Sequence, residues 1–147
     1  MFIKTIFYNQ NKNINKETVD LEISMQKYIS SKYDFTPKIY DIIYYDDKCH
    51  IHMEDLKELC LADKYGDKAE HIYDNNIWIQ IHNIIRTLYE SEGIEYIDIT
   101  PYNFIEKNNK VYIIDFGHSY YNQKNNKINW FLQDFLDGIN EWNPDFK

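Results

Sequence analysis

At 147 residues, with 44% hydrophobic and 17% aromatic side chains, the chain has the size of one folded domain and not the composition of a disordered one. A net charge of −8 argues against a nonspecific nucleic-acid binder, which needs a basic face for phosphate. Cys49 and Cys60 and five scattered histidines lack the spacing of a zinc site.

Residues 2–8, FIKTIFY, are β-branched and aromatic with one charge at Lys4, which predicts a strand. The Asn-rich stretch NQNKNINKE predicts a loop. A helix is predicted over 17–30, with Leu21, Met25, Tyr28 and Ile29 on one face and Glu22 beside it. Phe35-Thr36-Pro37 ends it, because the residue before a proline favours extended geometry. Strands at Lys38–Tyr45 and Cys49–Met53 are joined by Asp46-Asp47-Lys48 as a hairpin. A short helix is expected around Lys57–Lys64, then a loop at Tyr65-Gly66-Asp67.

Residues 75–91 carry the clearest helical pattern. Ile77, Ile81, Ile84, Ile85 and Leu88 form an apolar stripe widened by Trp78, His82 and Tyr89, and Gly93 suits the C-terminal cap. Phe104-Ile105 and Val111–Ile114 read as a small hairpin whose Asn108-Asn109 tolerates positive φ. A last helix is predicted over Ile128–Ile139, carrying Trp130, Phe131, Phe135 and Leu136 with Gly138 near its end, and the aromatics of 130–142 are expected in the core. The string is α+β: a small sheet with one helix, then a mainly helical half. The N-terminus lacks a leader pattern and no apolar run is long enough to span a bilayer, so a cytoplasmic protein with reduced thiols is expected, without nucleic-acid or membrane partners. The excess of Tyr, Ile, Asn and Lys is what an AT-rich genome tends to give.

The polar residues of YIDITPYNFIEKNNKVYIIDFGHS form a pattern. Asp98 is followed five positions later by Asn103, and Asp115 heads Asp115-Phe116-Gly117, each inside apolar sequence. Two acids and an amide on neighbouring turns could hold a divalent cation and its phosphates. Singly, Asp98 reads as a turn or cap residue, Lys4 as a solvated strand lysine and Glu22 as a solvated helix residue.

Together these residues resemble the eukaryotic-type protein kinases. Asp98 and Asn103 match the catalytic loop, Asp115-Phe116-Gly117 the metal-binding motif, Lys4 in FIKTIF the strand lysine, and Glu22 in LEISMQKYI its helix partner. Met53-Glu54-Asp55-Leu56 resembles the end of the strand leading into the hinge, with Met53 as gatekeeper. The resemblance covers roughly residues 1–135. It implies a truncated kinase-like domain over 1–147, with 1–53 as a small sheet-plus-helix N-lobe and 54–147 as a short, mainly helical C-lobe. It also implies ATP and Mg²⁺ as cofactors. Asp98 would be the catalytic base, Asn103 and Asp115 would hold Mg²⁺, and Lys4 fixed by Glu22 would hold the α- and β-phosphates. Backbone groups near Glu54 and Leu56 would take the adenine edge.

Departures from the family shape the expectation. With Met1 as the start, no room remains before Lys4 for the glycine-rich phosphate loop, which implies weakened ATP binding. The His-Arg-Asp motif reads Tyr96-Ile97-Asp98, which removes the Arg that answers activation-loop phosphorylation. Thr100 replaces the lysine that faces the γ-phosphate in Ser/Thr kinases. No Ala-Pro-Glu follows Asp115, and only about 30 residues remain, a shortening similar to RIO-type kinases, the small kinase of the tRNA-modification complex, and sugar or antibiotic kinases. The implied function is a minimal phosphotransferase, a protein Ser/Thr kinase acting on a protein substrate, with an activating protein partner to supply missing parts. The same residues leave open a pseudokinase that regulates through a partner, and a small-molecule kinase.

Overall fold

The computed structural model describes residues 1–8, 14–69, 72, 74–123 and 125–146. Two compact units emerge: Met1–Lys57 with Asp115–Gly117, and Glu58–Ile114 with His118–Lys147. The expected Asn-rich loop lies partly outside the described residues, at 9–13.

In the first unit, β1 (Phe2–Phe7) and β2 (Ile39–Tyr44) flank β3 (Lys48–Met53) in an antiparallel sheet of order β1-β3-β2. Period-two alternation puts Cys49, Ile51 and Met53 on one face, where they pack with Val19 and Ile23 of α1 (Lys16–Lys32). Asn15 starts that helix by a capping box: its Oδ1 accepts from Thr18 N at 2.9 Å, and Thr18 Oγ1 accepts from Asn15 N at 3.1 Å. The helix gives way at Tyr33, whose backbone is extended, just before Phe35-Thr36-Pro37.

The buried face of α1 differs from the expected one. Met25 and Ile29 are buried, but Leu21 and Tyr28 are both 41% exposed, and Val19, Ile23 and Gln26 take their place. The helix carries two overlapping apolar stripes, and the sheet covers the one bearing Val19 and Ile23. Gln26 survives burial because its Nε2 donates to Pro37 O at 3.0 Å.

The second unit contains α2 (Leu61–Tyr65), α3 (Asn75–Glu92), β4 (Ile94–Glu95), a 3₁₀ turn (Pro101–Asn103), β5 (Phe104–Lys107), β6 (Lys110–Ile113), β7 (Tyr120–Tyr121) and α4 (Trp130–Leu136). All five residues of the α3 stripe are buried. Asp74 caps the start, and Gly93 ends the helix at φ 68°, ψ 24°, the left-handed cap that glycine adopts without steric cost. β5 and β6 form the expected hairpin; Asn108 and Asn109 have φ of 52° and 65°, as its two-residue turn requires. Gln80 on α3 grips it at both ends, donating to Asn109 O at 2.8 Å and accepting from Val111 N at 2.8 Å.

Two helices are shorter than expected. The one expected at Lys57–Lys64 begins only at Leu61, because Asp55 Oδ1 accepts from Lys57 N at 2.8 Å and turns Lys57 to φ 57°, outside the helical region. α4 is framed by Asn129, whose Oδ1 accepts from Phe131 N and Leu132 N, and by Gly138 at φ 115°. Phe131, Leu132 and Phe135 are buried, whereas Trp130, expected in the core, is 54% exposed. The β4–β7 pair was not expected, since two-residue strands leave no periodic signal.

The chain is therefore an α+β protein with one three-stranded sheet, two two-stranded sheets and four α-helices among the described residues. No helix among them is long and apolar enough to cross a membrane.

One ion pair in the second unit gives it a pH dependence. Burial opposes ionisation of Glu106, but hydrogen bonds to Oε1 from Lys64 Nζ at 3.0 Å and Tyr65 Oη at 2.8 Å outweigh it and hold the carboxyl below its ordinary range. A depressed carboxyl contributes stability that is fully present above its unfolded pKa and lost as pH falls through the folded one. The melting temperature is therefore expected to drop as pH falls below about 4.3. Glu106→Gln should flatten that part of the profile in a thermal scan from pH 7 to pH 3; an unchanged slope would remove Glu106 as the cause.

Candidate functional site

The first unit gathers three residues from distant points of the chain. On β1, Lys4 stands opposite Ile51, and its Nζ lies 3.3 Å from Glu22 Oε2 and 3.5 Å from Asp115 Oδ1. Glu22 reaches it because it neighbours Ile23 at the margin of the buried face of α1. Burial disfavours the Lys4 ammonium, but the charges of Glu22 and Asp115 outweigh that and raise its pKa. One cation beside two carboxylates leaves the trio with a net negative charge.

Asp115 adopts φ 60°, a left-handed conformation that Asp tolerates better than most side chains. Its Oδ1 accepts from Gly117 N at 3.0 Å, which closes Asp115-Phe116-Gly117 into a tight turn. Phe116 is buried. Gly117 lies close to both carboxylates: a Cβ there would come within 2.5 Å of Glu22 Oε1 and 3.0 Å of Asp115 Oδ1, so those side-chain ends would have to shift. A larger residue would push both carboxylates away from Lys4.

Met53, Glu54 and Leu56 follow at the end of β3. Met53 is buried with Gln26 Nε2 4.0 Å from its sulfur. Glu54 N donates to Lys38 O at 2.8 Å and Glu54 Oε1 accepts from Lys38 N at 3.3 Å, so the Glu54 amide is already committed. Leu56 is buried.

The second unit holds Asp98 and Asn103 on one loop. Asp98 O accepts from Thr100 N at 3.0 Å and from Asn103 Nδ2 at 2.9 Å, while Asn103 N donates to Thr100 O at 3.1 Å. Pro101 fits the first position of the 3₁₀ turn that carries Asn103. Asn103 is buried, and because its amide nitrogen serves Asp98, its Oδ1 is the atom left for another partner.

Four residues of this loop's surroundings were not singled out from the sequence. Tyr96 is fully buried, and its hydroxyl donates to Ile114 O at 2.6 Å, fixing the carbonyl that precedes Asp115 in the chain. Asn143 holds both flanks of Asp98: its Nδ2 donates to Ile97 O at 2.7 Å and its backbone N to Ile99 O at 2.9 Å. His118 Nδ1 lies 3.5 Å from Asp98 Oδ2, and its ring is tilted against Phe146 at 5.1 Å. Glu95, buried, accepts from Tyr120 Oη, Asn122 Nδ2 and Asn129 N. Their partners lie far along the chain, so spacing carried no signal; Tyr96, two residues before Asp98, and His118, three after Asp115, stood within sight of a motif.

Lys4, Glu22 and Asp115 thus form one constellation and Asp98 and Asn103 another, in different units of one continuous chain. A surface cavity of about 340 Å³ on the second unit, lined by Trp78, His82, Arg86 and Leu136, involves none of them. Among the described residues no cluster of three or more His, Cys, Asp or Glu could hold a metal by itself. Comparison with protein-family models and with curated proteins finds no match for this chain.

Proposed function

We propose that the chain is a minimal, ATP- and Mg²⁺-dependent phosphotransferase with a protein-kinase-like fold, acting on a Ser or Thr hydroxyl of a protein substrate. The observation that carries the reading is Lys4 Nζ set 3.3 Å from Glu22 and 3.5 Å from Asp115. A lysine oriented by one carboxylate and adjacent to a second is the arrangement that phosphate binding beside a cation calls for.

The donor types suit Mg²⁺. This ion is commonly held by one or two protein oxygens, with phosphate and water completing its shell, and Asp115 offers a carboxylate while Asn103 offers an amide oxygen. The net negative charge of the Lys4 trio also favours a cation at Asp115. Mg²⁺, when bound, would neutralise charge on the transferred phosphoryl group. Glu22 orients the Lys4 ammonium, and Lys4 holds the α- and β-phosphates. Asp98 orients the acceptor hydroxyl and takes its proton. With the Glu54 amide committed to Lys38, the Glu54 carbonyl and the Leu56 backbone are left to meet the adenine edge, beside Met53.

Thr100 favours a second reading. Its side chain is neutral, so this position offers no cation to a γ-phosphate, and it is buried with its backbone tied to Asp98 and Asn103. A pseudokinase-type binding module that acts through a protein partner fits this feature. In the enzyme reading, an activating protein partner supplies the missing charge. A small-molecule kinase would share every residue named and differ in its acceptor. Free thiols at Cys49 and Cys60 suit the cytoplasm, where we place the protein.

The test is incubation with γ-labelled ATP, Mg²⁺ and a generic basic protein substrate. Transfer is expected from the wild type and not from Asp115→Ala. Equal signal from both would sink the enzyme reading.

A further inference from the structure

We propose that the outer edge of β1 is a self-association surface, on which a second copy of this chain pairs antiparallel to give one continuous sheet. The inference is independent of the nucleotide reading. β1 ends the order β1-β3-β2, and among the described residues no strand covers its far side. Unpaired edges are usually guarded by a bulge, a proline or outward charge. The β2 edge is guarded: its register shifts between Ile39 and Asp41, and the Asp41 carboxylate accepts from Ile42 N at 2.9 Å. β1 has no such device. Its register with β3 is unbroken from Phe2 to Phe7, it contains no proline, and its single charge, Lys4, is directed to Glu22 and Asp115. Phe2, Ile3 and Phe7 are all about half exposed.

The backbone selects the pairing. Tyr8 N donates to Asp47 O on the β3 side, so by alternation the main-chain groups of Ile3, Thr5 and Phe7 point outward. A two-fold axis normal to the sheet keeps equivalent faces on one side. It must then pair outward residues with outward residues: Thr5 with Thr5 of the second copy, and Ile3 with its Phe7. Each pair exchanges two main-chain hydrogen bonds. On the face away from α1, this sets Ile3 against Phe7 and Thr5 against Thr5, aromatic–β-branched and Thr–Thr pairs that favour a sheet. On the other face Lys4 meets Ile6. Sliding by two residues one way would put Lys4 against Lys4, and the other way would leave only residues 5–7 of the strand paired; a one-residue slip would exchange the faces. The seam is small beside the interface of about 1,200–2,000 Å² found in stable complexes, so a weak, concentration-dependent dimer is expected.

Sedimentation velocity on the whole chain across micromolar concentrations tests this. The wild type should show a monomer–dimer equilibrium. Thr5→Lys and Thr5→Glu should each be monomeric, because like charges then meet across the axis, and an equal mixture of the two should dimerise again. Both variants keep the β1–β3 ladder, so far-UV circular dichroism should match the wild type. A monomeric wild type, a dimer indifferent to Thr5→Lys, or a mixture that stays monomeric would each overturn the proposal.

Discussion

Asp98→Asn is expected to slow phosphoryl transfer by about 10²–10⁴-fold, the usual contribution of a positioned general base, with little change in Mg-ATP binding. The substitution keeps shape and removes basicity. The loop geometry should survive, because it is held by backbone groups: Asn103 and Thr100 bond Asp98 O, and Asn143 bonds Ile97 O and Ile99 O. The side chain of Asp98 is only 16% exposed, with His118 at 3.5 Å as a polar neighbour. Single-turnover rates with saturating Mg-ATP isolate the chemical step. If Asp98→Asn transfers phosphate at the wild-type rate, Asp98 is not the base and the catalytic assignment fails, whatever becomes of nucleotide binding.

Glu95→Ala carries the largest expected loss of stability, about 3–5 kcal/mol, as when one partner of a buried charged network is deleted. The Glu95 carboxylate is 1% exposed and accepts from Tyr120 Oη at 3.2 Å, Asn122 Nδ2 at 2.5 Å and Asn129 N at 2.8 Å. These donors come from β7, the segment after it and the cap of α4. Removing the acceptor takes this partner from all three and opens a void at Glu95, which is buried. Burial, with Glu95 beside it, also pushes the Tyr120 hydroxyl pKa up. Urea unfolding should show a lower midpoint at similar slope. A loss under about 1 kcal/mol, the range of an ordinary surface substitution, would mean that water already serves these donors.

What was legible in the sequence was local. The α3 stripe, the Gly93 cap and the Asn108-Asn109 turn each depend on residues a few positions apart, and each forms as expected. The eighteen-residue interval from Lys4 to Glu22 worked because a strand and the next helix pack as neighbours. Where two local patterns compete, tertiary packing decides. α1 buries Val19 and Ile23 in place of Leu21 and Tyr28, and the Asp55 turn delays α2. The supports of the Asp98 loop were illegible for another reason. Asn143 lies 46 residues from Ile97, and Glu95 lies 34 from Asn129; no periodicity links such pairs. Tyr96 could have been suspected, since a buried tyrosine hydroxyl needs a partner, but its acceptor, a backbone carbonyl, leaves no mark on the sequence.

The most direct test of the central claim is the melting temperature of the whole chain as Mg-ATP is raised, wild type beside Lys4→Met. A ligand bound only by the native state stabilises it by about 2.7 kcal/mol at a hundredfold excess over Kd. The wild type should therefore melt progressively higher as nucleotide increases. Lys4→Met, which takes away the ammonium between Glu22 and Asp115, should lose most of that rise. No shift in the wild type at millimolar Mg-ATP, or an equal shift in Lys4→Met, would contradict a phosphate site at Lys4.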